Sequence, residues 1–212
     1  MGSVKRASVF IPNQFEASAY LQLKEAGVAA ELKTDLFLES VENDFIDVKS
    51  ESWKWRKGDS VIPIILPTDF INLYNFTYAP ARGLPQISRN TVRKFQFSIL
   101  IRGNGSAETF RGNIIGFSDR ISSMIVPMSF MKSANIKFGQ GVPNESPAVY
   151  RIITQVNPSG LSSFQKFLED NNYETNQELL RNSKFSSLMY LIISIIFVLG
   201  LIITANAFTG MI

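Results

Sequence analysis

The chain has 212 residues and a net charge of +3, and it contains neither Cys nor His. The absence of these residues excludes thiol nucleophiles, Cys or His metal sites and His general bases, and the scattered Lys and Arg do not favour a nucleic-acid-binding protein. The 17 Phe residues offer enough apolar volume for the core of one large domain or two small ones.

Two kinds of element are predicted before residue 50. Residues 13–27 carry apolar side chains at helical spacing and end at Gly27, so they predict an amphipathic helix. Between residues 31 and 48 the apolar spacing shortens, and the alternation in the later part of this stretch favours strands.

The segment WKWRKGDS, residues 53–60, combines two Trp residues with basic residues. One interpretation is a contact with a membrane surface or a partner, because Trp and basic side chains suit interfaces. The other is a hairpin in which Trp53 and Trp55 pack inward, and the turn-like composition favours this second interpretation.

The centre of the chain is predicted to alternate between strands and turns. Residues 61–67 form an apolar strand that closes at Pro67, and Thr68 and Asp69 then predict the start of a helix that runs through Phe76. The remaining predicted elements are strands at 92–102, 110–115 and 121–127, a turn at 103–106, a helix at 127–135 and a Gly/Pro-rich boundary loop at 137–147.

A strand and a helix are predicted next. Residues 149–156 predict the strand, and Asn157-Pro158-Ser159-Gly160 predicts the start of an amphipathic helix that ends at Asn171 and Asn172. A strand followed by a capped helix corresponds to half of a ferredoxin-like fold.

Residues 187–208 read SLMYLIISIIFVLGLIITANAF and contain no charged residue. About 20 apolar residues are needed to cross the ~30 Å hydrocarbon core of a bilayer. We therefore predict a transmembrane helix here, with Arg181 and Lys184 at the membrane edge and Tyr190 near one interface. The alternative is a buried helix of a soluble core.

No motif supports an enzyme. A GxxxxGK[ST] phosphate-binding loop is absent, and Asp44 and Asp47 are interpreted as solvated loop residues. The most site-like cluster is Ser118-Asp119-Arg120, where only a Lys remains as a base, and we interpret it as an Asx or Ser/Thr turn in which Asp119 pairs with Arg120. We therefore assign no catalytic, cofactor-binding or metal-binding residues.

Two longer stretches resemble a known family: PIILPTDFINLYNFTYAPARGLP at residues 63–85 and GNIIGFSDRISSMIVPMSFMKSAN at 112–135. Together with VYRIITQV at 149–156 and the helix that follows, they resemble the extracytoplasmic domain of bacterial ABC-transporter permeases of the FtsX, MacB and LolE group. The resemblance covers residues 8–208 and rests on the order of the elements and on loose motifs.

The resemblance implies an α+β fold class, in which a mixed α/β periplasmic core domain has a ferredoxin-like porter part and a β-rich inserted lobe. The membrane-proximal porter part would comprise residues 1–50 and 141–184, the distal lobe residues 51–140, and the transmembrane helix residues 187–208. The protein would not be an enzyme, and it would sit in the bacterial inner membrane with its main domain in the periplasm.

The resemblance also implies partners: a cytoplasmic ABC ATPase, a second permease subunit, and a lipoprotein, peptide or periplasmic protein as cargo or partner. The connector at residues 174–184 would transmit motion from the membrane helix. Partner contact is expected on the distal lobe, at Trp53, Trp55 or the loop at 138–147.

Two alternatives remain open at this point. A tail-anchored protein with a cytoplasmic protein-binding domain also fits the apolar tail, and the side of the membrane on which the domain lies separates it from the permease. A membrane-attached hydrolase would require a nucleophile and a base close together at Ser118 or Asp119.

Overall fold

The computed structural model describes residues 3–23, 30–139 and 150–175. The chain divides into two compact units, Met1–Asn157 and Pro158–Ile212. The strands of the described ranges all belong to the first unit. They are β1 (Val4–Val9), β2 (Ile11–Pro12), β3 (Glu16–Leu23), β4 (Ala30–Asp35), β5 (Leu38–Ser40), β6 (Val61–Pro67), β7 (Gln96–Gly103), β8 (Ser106–Ser118), β9 (Met124–Ile125) and β10 (Ile152–Val156).

The helices are short, and three of them lie between β6 and β7. A π-helical turn, Tyr74–Tyr78, joins the first two of these into one continuous helical segment. The helices of the described chain are α1 (Thr68–Leu73), α2 (Ala79–Arg82), α3 (Arg89–Lys94), α4 (Met128–Phe138) and α5 (Leu161–Asp170), with 3-10 turns at Asn43–Phe45 and Pro158–Gly160.

Eight strands form one mixed sheet in the order β2-β5-β9-β6-β8-β7-β3-β4. Strand β6 lies inside the sheet, parallel to β8 and antiparallel to β9, and its largely buried sequence VIPIILP is typical of an interior strand. Strands β7 and β8 form a hairpin closed by Asn104 and Gly105, whose positive φ angles of 47° and 70° are those of a type I′ turn. The sheet and helices confirm the predicted α+β class.

The predicted helix at residues 13–27 is wrong, because strand β3 occupies its centre. Strand β3 pairs antiparallel with both β4 and β7. Phe15, Ala17 and Ala19 are buried and alternate with more exposed residues, which is the two-residue period of a strand. Phe15 and Ala19 are four residues apart, a spacing that fits one face of a strand as well as one face of a helix.

The predicted strand at 92–102 begins too early. Its first residues belong to α3, and β7 begins only at Gln96. The Ser88 hydroxyl accepts a hydrogen bond from the backbone N–H of Thr91 at 3.1 Å and thereby caps the start of α3.

Three other strand predictions differ from the structure in extent. The strand predicted at 110–115 is part of the longer β8, and the one predicted at 121–127 is reduced to the two residues of β9. Residues 41–48, predicted as strands, instead contain a 3-10 turn at Asn43–Phe45. These strands depend on partners distant in sequence, so local alternation did not set their lengths.

Several local predictions are confirmed. Strand β6 ends at Pro67 and α1 begins at Thr68, and the turn at 103–106 closes the hairpin of β7 and β8. Helix α4 is present, although it ends at Phe138 rather than at residue 135.

The main core lies between the sheet and α4. The Phe130 ring on α4 packs edge-on with the rings of Trp55 and Phe110, at centroid distances of 5.2 and 5.7 Å. The sheet contributes fully buried aliphatic side chains to the same cluster, namely Leu38, Ile62, Ile64, Ile99 and Ile101. Burial of such side chains supplies the main driving force for folding of this unit.

Strands β1 and β10 form a separate two-stranded antiparallel sheet. Val4 pairs with Val156, and Val9 pairs with Ile152. Strands β1 and β10, which precede and follow the eight-stranded sheet in the chain, therefore lie side by side.

Arg151, just before β10, connects this small sheet to the large one. Its guanidinium lies 3.9 Å from the centre of the Phe10 ring, which favours a cation–π contact. The same group pairs with the carboxylate of Glu39 on β5 and donates hydrogen bonds to the hydroxyls of Ser122 and Ser123, at 3.0 and 2.7 Å.

In the second unit the structure describes the turn at Pro158–Gly160 and α5. Helix α5 follows the predicted cap and ends at Asn171 and Asn172 as predicted, with Asn172 at a positive φ of 55°. Within the described ranges, no helix combines the length and hydropathy required to cross a bilayer. The predicted transmembrane helix at 187–208 and residues 176–184 of the connector lie outside those ranges.

The division into a porter part at residues 1–50 and 141–184 and a distal lobe at 51–140 stays a prediction, as does the ferredoxin-like character of the porter part. The eight-stranded sheet takes strands from both predicted parts.

Candidate interaction surface

The Ser118-Asp119-Arg120 cluster forms a structural turn around the buried side chain of Ser118. Ser118 is only 2% exposed, and its hydroxyl donates to the Asp47 carboxylate at 2.7 Å. The same oxygen accepts the backbone N–H groups of Arg120 and Ile121, each at 3.1 Å, as in a Ser/Thr turn. The Ser118 hydroxyl is therefore fully hydrogen-bonded within the fold, as the predicted turn requires.

The ion pair predicted within this cluster is wrong. Asp119 lies 3.5 Å from the guanidinium of Arg89 on α3, rather than pairing with its neighbour Arg120. Both side chains are more than half exposed, so this pair adds little stability.

Asp44 and Asp47 have separate partners. Asp44 forms an exposed ion pair with Arg6, whereas Asp47 accepts the Ser118 hydroxyl and the backbone N–H of Asp119. The two carboxylates are therefore engaged in separate contacts, and both residues are exposed as predicted for loop residues. In the ranges that the structure describes, no cluster of three or more acidic residues is placed to hold a metal ion.

The two Trp residues considered as partner contacts lie in the folded interior or at its edge. Trp55 is buried against Phe130 and donates its indole N–H to the backbone oxygen of Asp59, so it packs inward as the favoured interpretation predicted and is not an exposed contact. Trp53 is partly buried and donates its indole N–H to the side chain of Asn43. In the third candidate, the loop at 138–147, Phe138 is buried on α4 and residues 140–147 lie outside the described ranges.

An open depression of about 580 Å³ lies beside Arg151 and is bordered by Asn13, Phe37 and Ser123. The charge of Arg151 is balanced there by Glu39, and both terminal nitrogens of its guanidinium already donate hydrogen bonds. We assign no ligand to this depression.

Sequence reasoning missed a surface on the helical hairpin, residues 68–94, that follows β6. The continuous helical segment ends at Gly83, which adopts a left-handed φ of 63° as a C-cap. Five large apolar side chains on this segment and just after it are exposed, and we call them the hairpin surface: Phe70 (43%), Leu73 (62%), Phe76 (73%), Tyr78 (43%) and Leu84 (45%).

The inner side of the helical hairpin fixes it to the sheet. Ile71 and Ala79 are buried, and Ile71 packs in a cluster with Val92 of α3 and Phe117 of β8. The side-chain amide of Asn75 donates to the backbone oxygen of Ile87 at 2.9 Å and accepts its N–H at 2.8 Å. The hairpin surface is thus carried by an anchored element rather than by a loose loop.

The position of the hairpin surface follows from strand direction. Strand β2 is antiparallel to β5, β5 is parallel to β9, and β9 is antiparallel to β6, so β2 and β6 run in the same direction. The cross-strand pairs align Pro12 of β2 with Glu39, Ile125 and Ile65, so β2 lies beside the second half of β6. Strand β6 ends two residues after Ile65, at Pro67, and the helical hairpin begins there with α1.

A signal for this surface was present in the sequence. Ile71, Asn75 and Ala79 are spaced by four residues and form the inner face, while Phe70, Leu73 and Phe76 are spaced by three and lie on another side. A short helix with large apolar residues on two sides has more of them than one core contact can bury.

The fold and this surface together define a mixed α+β domain with adjacent entry and exit segments and an exposed apolar helical face, and such faces mark sites of macromolecular contact. The chain belongs to the PCD-like family, described as a probable transporter periplasmic core domain, whose model matches residues 2–178. This match confirms the predicted resemblance to the periplasmic domain of a transporter permease. Neither the curated proteins nor the solved structures gave a match.

Proposed function

We propose that this chain is the non-catalytic extracytoplasmic domain of an ABC-transporter permease of the MacB, LolE or FtsX type. It couples ATP hydrolysis by a cytoplasmic ATPase to lipoprotein or other substrate export, or to activation of an extracytoplasmic partner. The assembly contains a second permease subunit, and the domain stands on the periplasmic side of the bacterial inner membrane.

The observation that carries this proposal, beside the family match, is the pairing of β1 with β10. A domain inserted between two membrane helices must begin and end at neighbouring points. Val4 and Val156 are paired residues of one antiparallel ladder, so they meet this requirement. The predicted apolar segment at 187–208 follows the second of these strands in the chain.

The hairpin surface supports the same proposal. It leaves five large apolar side chains exposed on an element that is anchored to the sheet, which suits contact with a partner. An exposed cluster of aromatic and aliphatic side chains is typical of a protein-binding site.

Labelling of a single introduced Cys tests the location of the domain. Because the chain has no Cys, Ser60→Cys places one thiol at an exposed position before β6. We expect a membrane-impermeant maleimide to label this variant in intact spheroplasts, since the domain faces outward. The measurement is the labelled fraction on a gel before and after detergent lysis.

Ser40→Cys is the matched control, because Ser40 is fully buried and its thiol should react only after denaturation. Protection of Ser60→Cys in intact spheroplasts with full labelling after lysis would assign the domain to the cytoplasm. That result supports the tail-anchored alternative and rejects the permease proposal.

The proposed coupling is tested at the connector. Replacing the connector, residues 174–184, by a Gly/Ser linker of equal length should stop transport, because a flexible linker does not transmit a displacement between two states. ATP binding and hydrolysis by the assembled transporter should continue. Unchanged transport with this linker would contradict mechanical coupling through the connector.

A further inference from the structure

The hairpin surface has the geometry of a helix-packing ridge. Phe70, Leu73 and Phe76 recur every three residues, the first two on α1 and the third on the π-helical turn that continues it. A ridge of side chains spaced by three residues fits the groove between side chains spaced by four on a second helix. Within the described part of the chain these three side chains remain 43–73% exposed, so no described segment of this chain supplies that second helix.

The helical hairpin carries a concentration of positive charge. Residues 68–94 contain Arg82, Arg89, Arg93 and Lys94 but only one acidic residue, Asp69, which gives a net charge of +3. The whole chain also has a net charge of +3, so basic and acidic residues balance elsewhere.

Most of this positive charge is available to a partner. Arg89 pairs with Asp119 from outside the segment, whereas Arg82, Arg93 and Lys94 form no ion pair with any described residue. The guanidinium of Arg82 lies over the ring of Tyr78, 5.3 Å from its centre, so this cation borders the hairpin surface directly.

We propose that the hairpin surface binds an acidic amphipathic α-helix of an extracytoplasmic partner protein. The apolar side of that helix covers Phe70, Leu73 and Phe76, and its carboxylates meet Arg82 and Lys94. A bilayer surface also attracts basic and apolar groups, but exposed apolar side chains that recur every three residues fit the groove of a second helix, which favours a protein over the membrane. This inference rests on the proposed function and names the partner of its surface.

The test uses the full 212-residue chain in nanodiscs of zwitterionic lipid and three probes. The first probe is a stapled helical peptide of about 18 residues with Leu every three or four positions and Glu elsewhere, long enough for five turns. The second replaces every Glu with Lys, and the third is sucrose-loaded vesicles rich in phosphatidylglycerol. We expect the acidic peptide to bind, measured by fluorescence anisotropy, at least tenfold more tightly than the basic peptide, with affinity falling as salt rises.

Two sets of variants connect binding to the surface. Leu73→Ser with Phe76→Ser should weaken binding of the acidic peptide at least tenfold, and Arg82→Gln with Lys94→Gln should reduce its salt dependence. The matched controls lie on α4, where Ile136 is 84% exposed and Lys132 is also exposed. Ile136→Ser and Lys132→Gln should leave binding unchanged.

Equal binding of the acidic and basic peptides, or full binding by the Leu73→Ser, Phe76→Ser variant, would overturn the proposal. Co-sedimentation with the anionic vesicles without peptide binding would assign the surface to a membrane instead. If the acidic peptide did not bind while Ser60→Cys was labelled from outside, the partner assignment would be rejected. The proposed transporter function would still be supported by the labelling result.

Discussion

Replacing Phe130 by Ala is expected to lower the free energy of unfolding by about 3–5 kcal/mol. Phe130 is 1% exposed, and its ring makes edge-on contacts with both Trp55 and Phe110. The substitution removes a buried ring and leaves a cavity between α4 and the sheet, and the aromatic contacts are lost as well. The measurement is urea unfolding of the full chain followed by Trp fluorescence, which Trp55 reports from inside the affected cluster.

The same substitution at Phe37 is the matched control. Phe37 is 80% exposed, so Phe37→Ala should change the free energy of unfolding by less than about 0.5 kcal/mol. If the two variants unfolded at the same urea concentration, α4 would not pack on the sheet as described.

Adding a methyl group at Gly103 is expected to destabilise the fold by about 3 kcal/mol. A Cβ atom built on Gly103 would lie 1.9 Å from the backbone oxygen of Phe138 and 2.9 Å from its carbonyl carbon. A side chain can rotate away from such a contact, but a backbone carbonyl at the end of α4 moves only with the helix. Gly103→Ala therefore separates the end of α4 from the end of β7.

Ser106→Ala provides the comparison for this variant, because Ser106 is the exposed residue paired with Gly103 across the hairpin. We expect this variant to unfold at nearly the same urea concentration as the unchanged protein. Wild-type stability in Gly103→Ala would show that α4 does not approach β7 this closely.

Turns and element ends that are specified by a few neighbouring residues could be predicted from the sequence. The Asn104-Gly105 turn requires two residues that tolerate positive φ, and both are present. The apolar run before Pro67 and the paired Asn residues after α5 likewise specify where their elements end.

Elements that depend on distant partners could not be predicted in this way. Strand β3 is stabilised by β7, about 80 residues later in the chain, and its small residues Ala17 and Ala19 give no strong preference for a strand. Strand β9 has only two residues, because a bend occurs where its sequence alone would allow a longer strand.

The same limit applies to the candidate sites. The turn at Ser118 followed from residue types, but its bond to Asp47 joins residues 71 positions apart. Whether Trp55 or Phe76 is the exposed aromatic depends on which face of each element meets the sheet. The sequence contains both residues without specifying that choice, and only Phe76 is exposed in the fold.

The ladder between β1 and β10 determines how this unit responds to force. Hydrogen bonds of an antiparallel pair run perpendicular to the strands, so drawing Val4 and Val156 apart breaks them one after another, as in a zipper. The far end of the ladder is held by the bond from the Phe10 N–H to the Arg151 oxygen and by the stacking of these two side chains. A pull that moves both ends together along the strand axis loads none of these bonds, so the unit yields to separation of its ends and follows their common movement as one body.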